Sequence, residues 1–109
     1  MSRSKGNIGE ERACDYLRSE GFEIIDRNVY SRFGEIDIIA MRGEVLHFVE
    51  VKSATHYDLA VQNITPTKIQ RFLRTVESYQ KKHQLDITWC MDAVIVTPEE
   101  LTLLENITL

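Results

Sequence analysis

Two apolar segments separated by a short polar turn constrain the fold of this chain more than any other feature. The stretch GEIDIIAMRGEVLHFVEVKS carries runs of β-branched and aliphatic residues on both sides of Arg42-Gly43. Such runs, joined by a glycine-containing turn, are typical of a β-hairpin with buried strands. The pattern therefore predicts a tight hairpin with strands over residues 34–41 and 44–53.

Two helices are predicted from their boundary signals. Asn7, with a glutamate three residues later in the capping-box position, predicts a helix that ends near Ser19, before Gly21. Thr65-Pro66 predicts the start of a second helix, whose apolar residues keep a helical period to about His83.

The other segments complete the order of elements. FEIIDRNVY and ITWCMDAVIV predict a first and a fourth strand, HYDLAVQN predicts a loop, and LTLLENITL predicts a short strand or an irregular return. The order αβββαβ favours an α/β fold in which helices cover a mixed central sheet. The length of 109 residues predicts a single domain over residues 1–109.

Composition limits the cellular setting and the partners. There is no apolar run long enough for a membrane span and no apolar leader at the start, so no membrane association is expected. The only thiols, Cys14 and Cys90, lack CxxC spacing, which favours a reducing cytoplasm and free cysteines over a zinc site. A net charge of -4 argues against unspecific coating of nucleic acid but allows a local basic groove.

Three ionisable residues interrupt the apolar hairpin. Glu50 and Lys52 alternate onto one strand face, and a turn at Arg42-Gly43 would place Asp37 opposite Phe48, one diagonal step from Glu50. Two carboxylates at that spacing repel each other unless a cation lies between them. Oxygen ligands of this kind suit Mg²⁺ or Mn²⁺.

Each of these residues also has a purely structural interpretation. Glu50 and Lys52 could form an ion pair, and Asp37 could accept a hydrogen bond from a backbone amide. Glu10 lies on the inward stripe of the first helix, where it could complete the metal site, cap the helix, or do both.

The motifs resemble a known family of nucleases. Asp37 followed by Glu50-Val51-Lys52, behind a helix that carries Glu10, resembles the PD-(D/E)xK signature of restriction-endonuclease-like nucleases and is similar to archaeal Holliday-junction resolvases. The segments GNIGEERACDYL, RNVYSRFGEIDIIA, FVEVKS, ITPTKIQRF and LLENITL occur in the order found in the YraN-like family of small bacterial proteins.

This resemblance implies a restriction-endonuclease-like fold and a metal-dependent nuclease, with structured or branched DNA as the expected substrate. Asp37 and Glu50 would hold Mg²⁺ or Mn²⁺ with Glu10 as an auxiliary ligand, and Lys52 would act on the water or on the charge of the transition state. Two positions depart from the family pattern: Val29 replaces a common aromatic residue, and Ser53-Ala54-Thr55-His56 lacks the usual base.

A basic face on the second predicted helix is the candidate nucleic-acid surface, with DNA expected before RNA. Its members are Lys68, Arg71 and Arg74, joined by Arg32 near the hairpin, with Arg27 and Arg42 as weaker candidates. An ordinary solvated face explains the same charges. Tyr30 and Phe33 could stack on an unpaired base, although packing is the favoured interpretation.

Three function classes remain open at this point. The first is a metal-dependent nuclease, which could act as a homodimer because symmetric cuts need two sites. The second is a nucleic-acid-binding module without turnover, and the third is an acidic protein-interaction domain. His47 is predicted to pack on the strand face opposite Glu50, and no chemistry is assigned to Trp89 or Asp92.

Overall fold

The structure is a computed structural model that describes residues 5–108, with side chains from Ile8 onward. The described residues form the helices α1 (Lys5–Ser19), α2 (Tyr57–Gln62) and α3 (Pro66–Lys82) and the strands β1 (Glu23–Ser31), β2 (Gly34–Arg42), β3 (Val45–Ser53), β4 (Trp89–Val96) and β5 (Leu101–Leu104). None of these helices has the length and hydropathy that a bilayer crossing requires.

The strands form one mixed sheet in the order β1-β2-β3-β4-β5. Strands β3 and β4 are parallel, and the other neighbouring pairs are antiparallel. A parallel pair needs a crossover connection, and here α2 and α3 lie within it. The predicted mixed sheet with flanking helices is confirmed at this level, and LTLLENITL does contain a short strand.

Both faces of the hairpin are buried, which explains its nearly continuous apolar sequence. Ala13 and Leu17 of α1 belong to one core cluster together with Val49 of β3. Phe72 of α3 belongs to a second cluster together with Phe48. Strands covered on both sides lose the polar alternation that is typical of a half-exposed sheet.

The hairpin turn lies one residue later than the sequence predicted. Arg42 pairs with Val45, so the turn residues are Gly43 and Glu44. Gly43 has a φ of +62°, a left-handed conformation that a glycine adopts without steric cost. The prediction that Asp37 faces Phe48 is therefore wrong, because Phe48 pairs with Ile39.

Two predictions of local structure are also corrected. HYDLAVQN contains the helix α2 where a loop was predicted, and this short helix buries Ala60. Helix α1 already begins at Lys5, so Asn7 lies within the helix and is not its cap, and its side chain is outside those described. The predicted cap of α3 is confirmed, since Thr65 accepts a hydrogen bond from the backbone N–H of Lys68 at 3.2 Å.

Candidate metal and nucleic-acid site

One cleft contains the three hairpin residues that the sequence singled out. It has a volume of about 240 Å³ and is lined by Phe33, Gly34, Glu35, Asp37, Glu50, Lys52, Lys68, Arg71 and Phe72. Strands β2 and β3 provide the acids and Lys52, and the first turns of α3 provide Lys68 and Arg71. The structure thus brings the predicted metal ligands and part of the predicted basic surface to the same place.

The register of the hairpin brings Asp37 closer to Glu50 than the sequence predicted. The ladder pairs Ile38 with Val49, so one further step places Asp37 directly across from Glu50. Directly opposed residues have Cβ atoms roughly 4.5–5.5 Å apart, against about 7–8 Å for the diagonal pair. The backbone N–H of Val51 also donates to Asp37 Oδ2 at 2.7 Å, so the structural alternative for Asp37 is realised alongside this proximity.

Burial and the neighbouring acid make Asp37 a weak acid. The side chain is 7% exposed, and burial is the main cause that raises its pKa from 3.8 to about 8. The hydrogen bond and the charge of Glu50 raise the pKa further, whereas the Val51 N–H and Lys52 lower it. Asp37 therefore keeps its proton near neutral pH unless a further positive charge is present.

Glu10 and Glu35 extend the acidic cluster on the other side of Asp37. Carboxylate oxygens of Glu10, Glu35 and Asp37 lie within 4.8 Å of one another. The pKa of Glu10 is raised to about 7, first by burial and then by the charges of Asp37 and Glu35. Because α1 begins at Lys5, the capping-box interpretation of Glu10 is wrong, and its carboxylate points toward the other acids instead.

The close approach of α1 to β3 explains how Glu10 reaches the cluster. A Cβ atom on Gly9 would lie 2.3 Å from Ser53 Oγ, so a larger residue at position 9 would force the helix or Ser53 to move. Glycine therefore lets the first turns of α1 pack against the end of β3. The next residue along this helix is Glu10.

Two residues of this cluster were not found by sequence reasoning. Asn28, with its amide group turned toward the acids, donates to Glu10 Oε1 at 3.0 Å and to Glu35 Oε2 at 2.9 Å. Glu35 stands two residues before Asp37 on β2, so strand alternation was a usable signal for it. Asn28 has a φ of 53° inside a strand, and single-sequence patterns give no signal for such a conformation.

The donor set fits a hard divalent cation. The candidate ligands are carboxylates from α1, β2 and β3, and the raised pKa values of Asp37, Glu10 and Glu35 indicate that these acids lack sufficient compensating charge. Oxygen ligands of this kind suit Mg²⁺ or Mn²⁺. The cofactor expectation from the sequence is therefore compatible with the residues present.

The basic residues surround the other side of the cleft. Lys68 and Arg71 line it directly. The guanidinium groups of Arg32 and Arg74 lie 4.9 Å and 5.4 Å from the ring centroid of Phe33, which itself lines the cleft. All the residues that the sequence proposed for nucleic-acid contact are thus at or next to this cleft, which gives it an acidic side and a cationic side.

Three minor sequence predictions are corrected here. Arg27 forms an ion pair with Glu11 at 2.8 Å, and Arg42 forms one with Glu105 at 2.7 Å, so neither is a free cation at the cleft. Tyr30 is 72% exposed, so the packing interpretation is wrong for this residue.

Comparisons with known proteins identify a family without naming an activity. The sequence profile described as "Uncharacterised protein family UPF0102" matches residues 9–96. A UPF0102 protein of Sulfurimonas denitrificans is 57% identical over 109 residues, which is the whole of both chains. UPF0102 proteins of Wolinella succinogenes and Aliarcobacter butzleri are 47% and 44% identical, again with complete coverage of both chains.

Proposed function

We propose a nuclease function for this chain, which belongs to the UPF0102 family. The proposed enzyme hydrolyses phosphodiester bonds in structured or branched DNA in the cytoplasm, and it requires Mg²⁺ or Mn²⁺. One observation carries the proposal: Asp37, Glu50 and Lys52 share a cleft with the cationic start of α3.

A restriction-endonuclease-like core is part of the same proposal. The support for it is the arrangement of elements, in which an antiparallel hairpin carries the acids and the lysine. A parallel strand, β4, extends the sheet after a helical crossover. Helix α1, on the other face, adds Glu10.

The acidic residues have the role of metal ligands in this proposal. Asp37 and Glu50 would hold the cation, with Glu10 and Glu35 as further oxygen donors beside Asp37. When bound, Mg²⁺ or Mn²⁺ would supply positive charge to the scissile phosphate and lower the pKa of a water molecule. Asn28 orients Glu10 and Glu35 through its two amide hydrogens.

Lys52 is the proposed catalytic amine. It lines the cleft with Glu50, two residues earlier on the same strand face. From there its ammonium group can orient the attacking water or stabilise charge that develops on the phosphate oxygens. Lys68 and Arg71, across the cleft, can bind the neighbouring phosphates of the strand.

Two features support structured DNA as the substrate class. Tyr30 is exposed and its hydroxyl hydrogen-bonds to Glu35, which leaves an aromatic ring next to the acidic cluster for an unpaired base. Symmetric cutting of a branched substrate needs two such sites, and a homodimer would provide them.

The test is a cleavage assay on end-labelled four-way junctions, flaps, duplexes and single strands, with RNA versions alongside. Each substrate is incubated with Mg²⁺, with Mn²⁺ or with a chelator. We expect cleavage of a branched DNA that requires the metal and is lost in Glu50→Ala. Glu44→Ala, a change at the hairpin turn away from the cleft, is the matched control and should keep activity.

The outcome of binding without cleavage separates the two nucleic-acid hypotheses. Binding that is unchanged by metal, with no product from any substrate, would overturn the nuclease proposal in favour of a binding module. Absence of both binding and cleavage would leave the protein-interaction hypothesis.

A further inference from the structure

A second group of metal-ligating side chains lies away from the cleft, at the start of the parallel strand pair. His47 and Cys90 are register partners on β3 and β4, and Asp92 follows two residues later on the same strand face. Cys90 Sγ lies 3.2 Å from His47 Nδ1 and 3.4 Å from Asp92 Oδ1, and His47 Nδ1 lies 2.5 Å from Asp92 Oδ2.

This group belongs to the opposite face of the sheet from Glu50. Residue alternation along β3 separates His47 from Glu50, as the sequence predicted, and the ring of His47 packs edge-on against Phe22 at 4.9 Å. Asp92 is completely buried and His47 is 5% exposed, whereas Cys90 is partly exposed. Solvent can thus reach the group through the thiol.

We propose that His47 Nδ1, Cys90 Sγ and the Asp92 carboxylate form a binding site for a borderline-soft divalent cation of the Zn²⁺ class. Nitrogen, thiolate and carboxylate are the ligands that zinc takes in proteins, whereas Mg²⁺ avoids thiolate. Ligands at tetrahedral angles and zinc bond lengths lie roughly 3.3–3.7 Å apart. Two of the three donor separations are already within about 0.1 Å of that range.

The charges and protons of the group balance on metal binding. The Cys90 thiol releases its proton to solvent, and the proton on Nδ1 of His47 moves to Nε2. Thiolate and carboxylate then neutralise the divalent charge. In the metal-free protein burial, followed by Asp92, raises the pKa of Cys90 to about 12, and a bound cation reverses that electrostatic effect.

The surroundings indicate what such an ion would do. The backbone N–H of Asn106 donates to Asp92 Oδ1 at 2.8 Å, and the N–H of Ile107 donates to the carbonyl of Met91 at 2.8 Å. The ion would therefore fix the segment after β5 to the middle of the sheet. Glu105, whose charge acts on Cys90, or a water molecule can take the fourth ligand position.

The absence of CxxC spacing argued against a zinc site at the sequence level. The ligands instead come from two strands that are far apart in sequence, and only the parallel register of β3 and β4 brings them together. A site of this kind has no local sequence signature.

Cobalt spectroscopy on the full-length protein tests the proposal. Co²⁺ added to the metal-free protein should give the visible bands of tetrahedral cobalt and a thiolate-to-cobalt charge-transfer band, saturating at one equivalent, and Zn²⁺ should remove both. Cys90→Ser should lose the charge-transfer band, and Cys14→Ser, the matched control, should keep it. Glu50→Ala should also keep it, so failure of the nuclease proposal leaves this test unaffected.

Thiol labelling provides a second measurement if Cys90→Ser does not fold. In the wild-type chain, one equivalent of Zn²⁺ should slow alkylation of Cys90 by at least tenfold, as located by peptide mass analysis, while Mg²⁺ has no effect. A missing charge-transfer band in folded wild-type protein, or alkylation of Cys90 at the same rate with and without Zn²⁺, would overturn the proposal.

Discussion

Asp37 differs from an ordinary surface aspartate in both its burial and its neighbours. Its carboxylate is almost inaccessible, faces another acid and accepts a backbone hydrogen bond. A group with a pKa near 8 in the folded protein and 3.8 in the unfolded chain binds more protons when folded. Through Asp37 the metal-free protein must therefore lose stability as the pH rises between these two values.

Glu10 acts in the same direction, because its pKa is raised from 4.5 to about 7. We expect thermal melts of the metal-free protein to show a midpoint that falls from pH 5 to pH 8. Asp37→Asn should flatten this dependence and raise the midpoint at pH 8 by about 4 °C for each kcal/mol of relieved repulsion. Mn²⁺ should stabilise the wild type more at pH 8 than at pH 5. A wild-type midpoint that rises across this window would contradict the assignment.

Lys52 provides the sharpest residue-level test of the proposed chemistry. Lys52→Ala should lower the cleavage rate by about 100-fold or more, because one positioned charge in a water-poor site stabilises the transition state by that order. Its melting midpoint should stay close to that of the wild type. Lys81→Ala, at an exposed position near the end of α3, serves as the control. Full activity of Lys52→Ala would remove the amine from the mechanism.

The residues of the hairpin were more predictable than their partners. Asp37, Glu50 and Lys52 stand out because they interrupt apolar strands, and strand alternation places them on one side. Their exact pairing depended on a one-residue choice of turn, which the sequence MRGEV does not decide. Asn28 and the group around Cys90 depend on contacts between distant segments and could not be predicted.

At the scale of the elements, α3 has two distinct sides. Its buried residues Phe72, Val76 and Tyr79 anchor it to the sheet. Its first turns carry Lys68 and Arg71 into the cleft, where the positive end of the helix dipole adds to their charge. The helix thus positions cations beside the acids with little freedom to move.

Removal of these cations should change the salt dependence of DNA binding in a countable way. Each lost phosphate contact reduces the slope of log affinity against log salt by about 0.9 for duplex DNA. Lys68→Ala/Arg71→Ala should therefore reduce the slope by about 2 in a fluorescence anisotropy titration at several salt concentrations.

The control for this experiment is Lys81→Ala/Lys82→Ala, which removes the same charge from the far end of the helix. The two pairs carry equal net charge, so a general electrostatic effect would shift both equally. Equal slopes for the two double variants would show that the start of α3 is not the DNA surface.

The elements themselves were largely predictable, with one instructive exception. Caps, turns and hydrophobic periods gave α3, the hairpin and β4 with small boundary errors. Residues 57–62 have no strong helical period over so short a span, and α2 forms because tertiary packing buries Ala60. Local propensity alone could not give that result.

At the scale of the whole molecule, the last strand and the segment after it close the sheet. Strand β5 pairs with β4, and Leu101 and Leu103 pack against the core on the α1 side. Ile107 packs against the core on the α3 side. The chain end therefore connects both cores, although the family profile stops at residue 96.

A chain that ends at Glu100 should lose the cooperative thermal transition of the full-length protein. The truncation leaves the edge of β4 unpaired and removes the Asn106 hydrogen bond from the fully buried Asp92. Calorimetry and circular dichroism would measure the loss. Leu103→Ala is the graded comparison and should unfold cooperatively at a lower midpoint. A truncated chain that melts within about 3 °C of the full-length protein would contradict this account.

The parallel pairing of β3 with β4 also has a consequence for biosynthesis. All the residues of the cleft are translated before β4, but β3 gains its second neighbour only when residues 89–96 have been made. A nascent chain still attached to the ribosome therefore has an incomplete sheet with an open, aggregation-prone edge. The order of translation keeps the acids and lysine of the hairpin in an immature form while the chain is closest to ribosomal RNA.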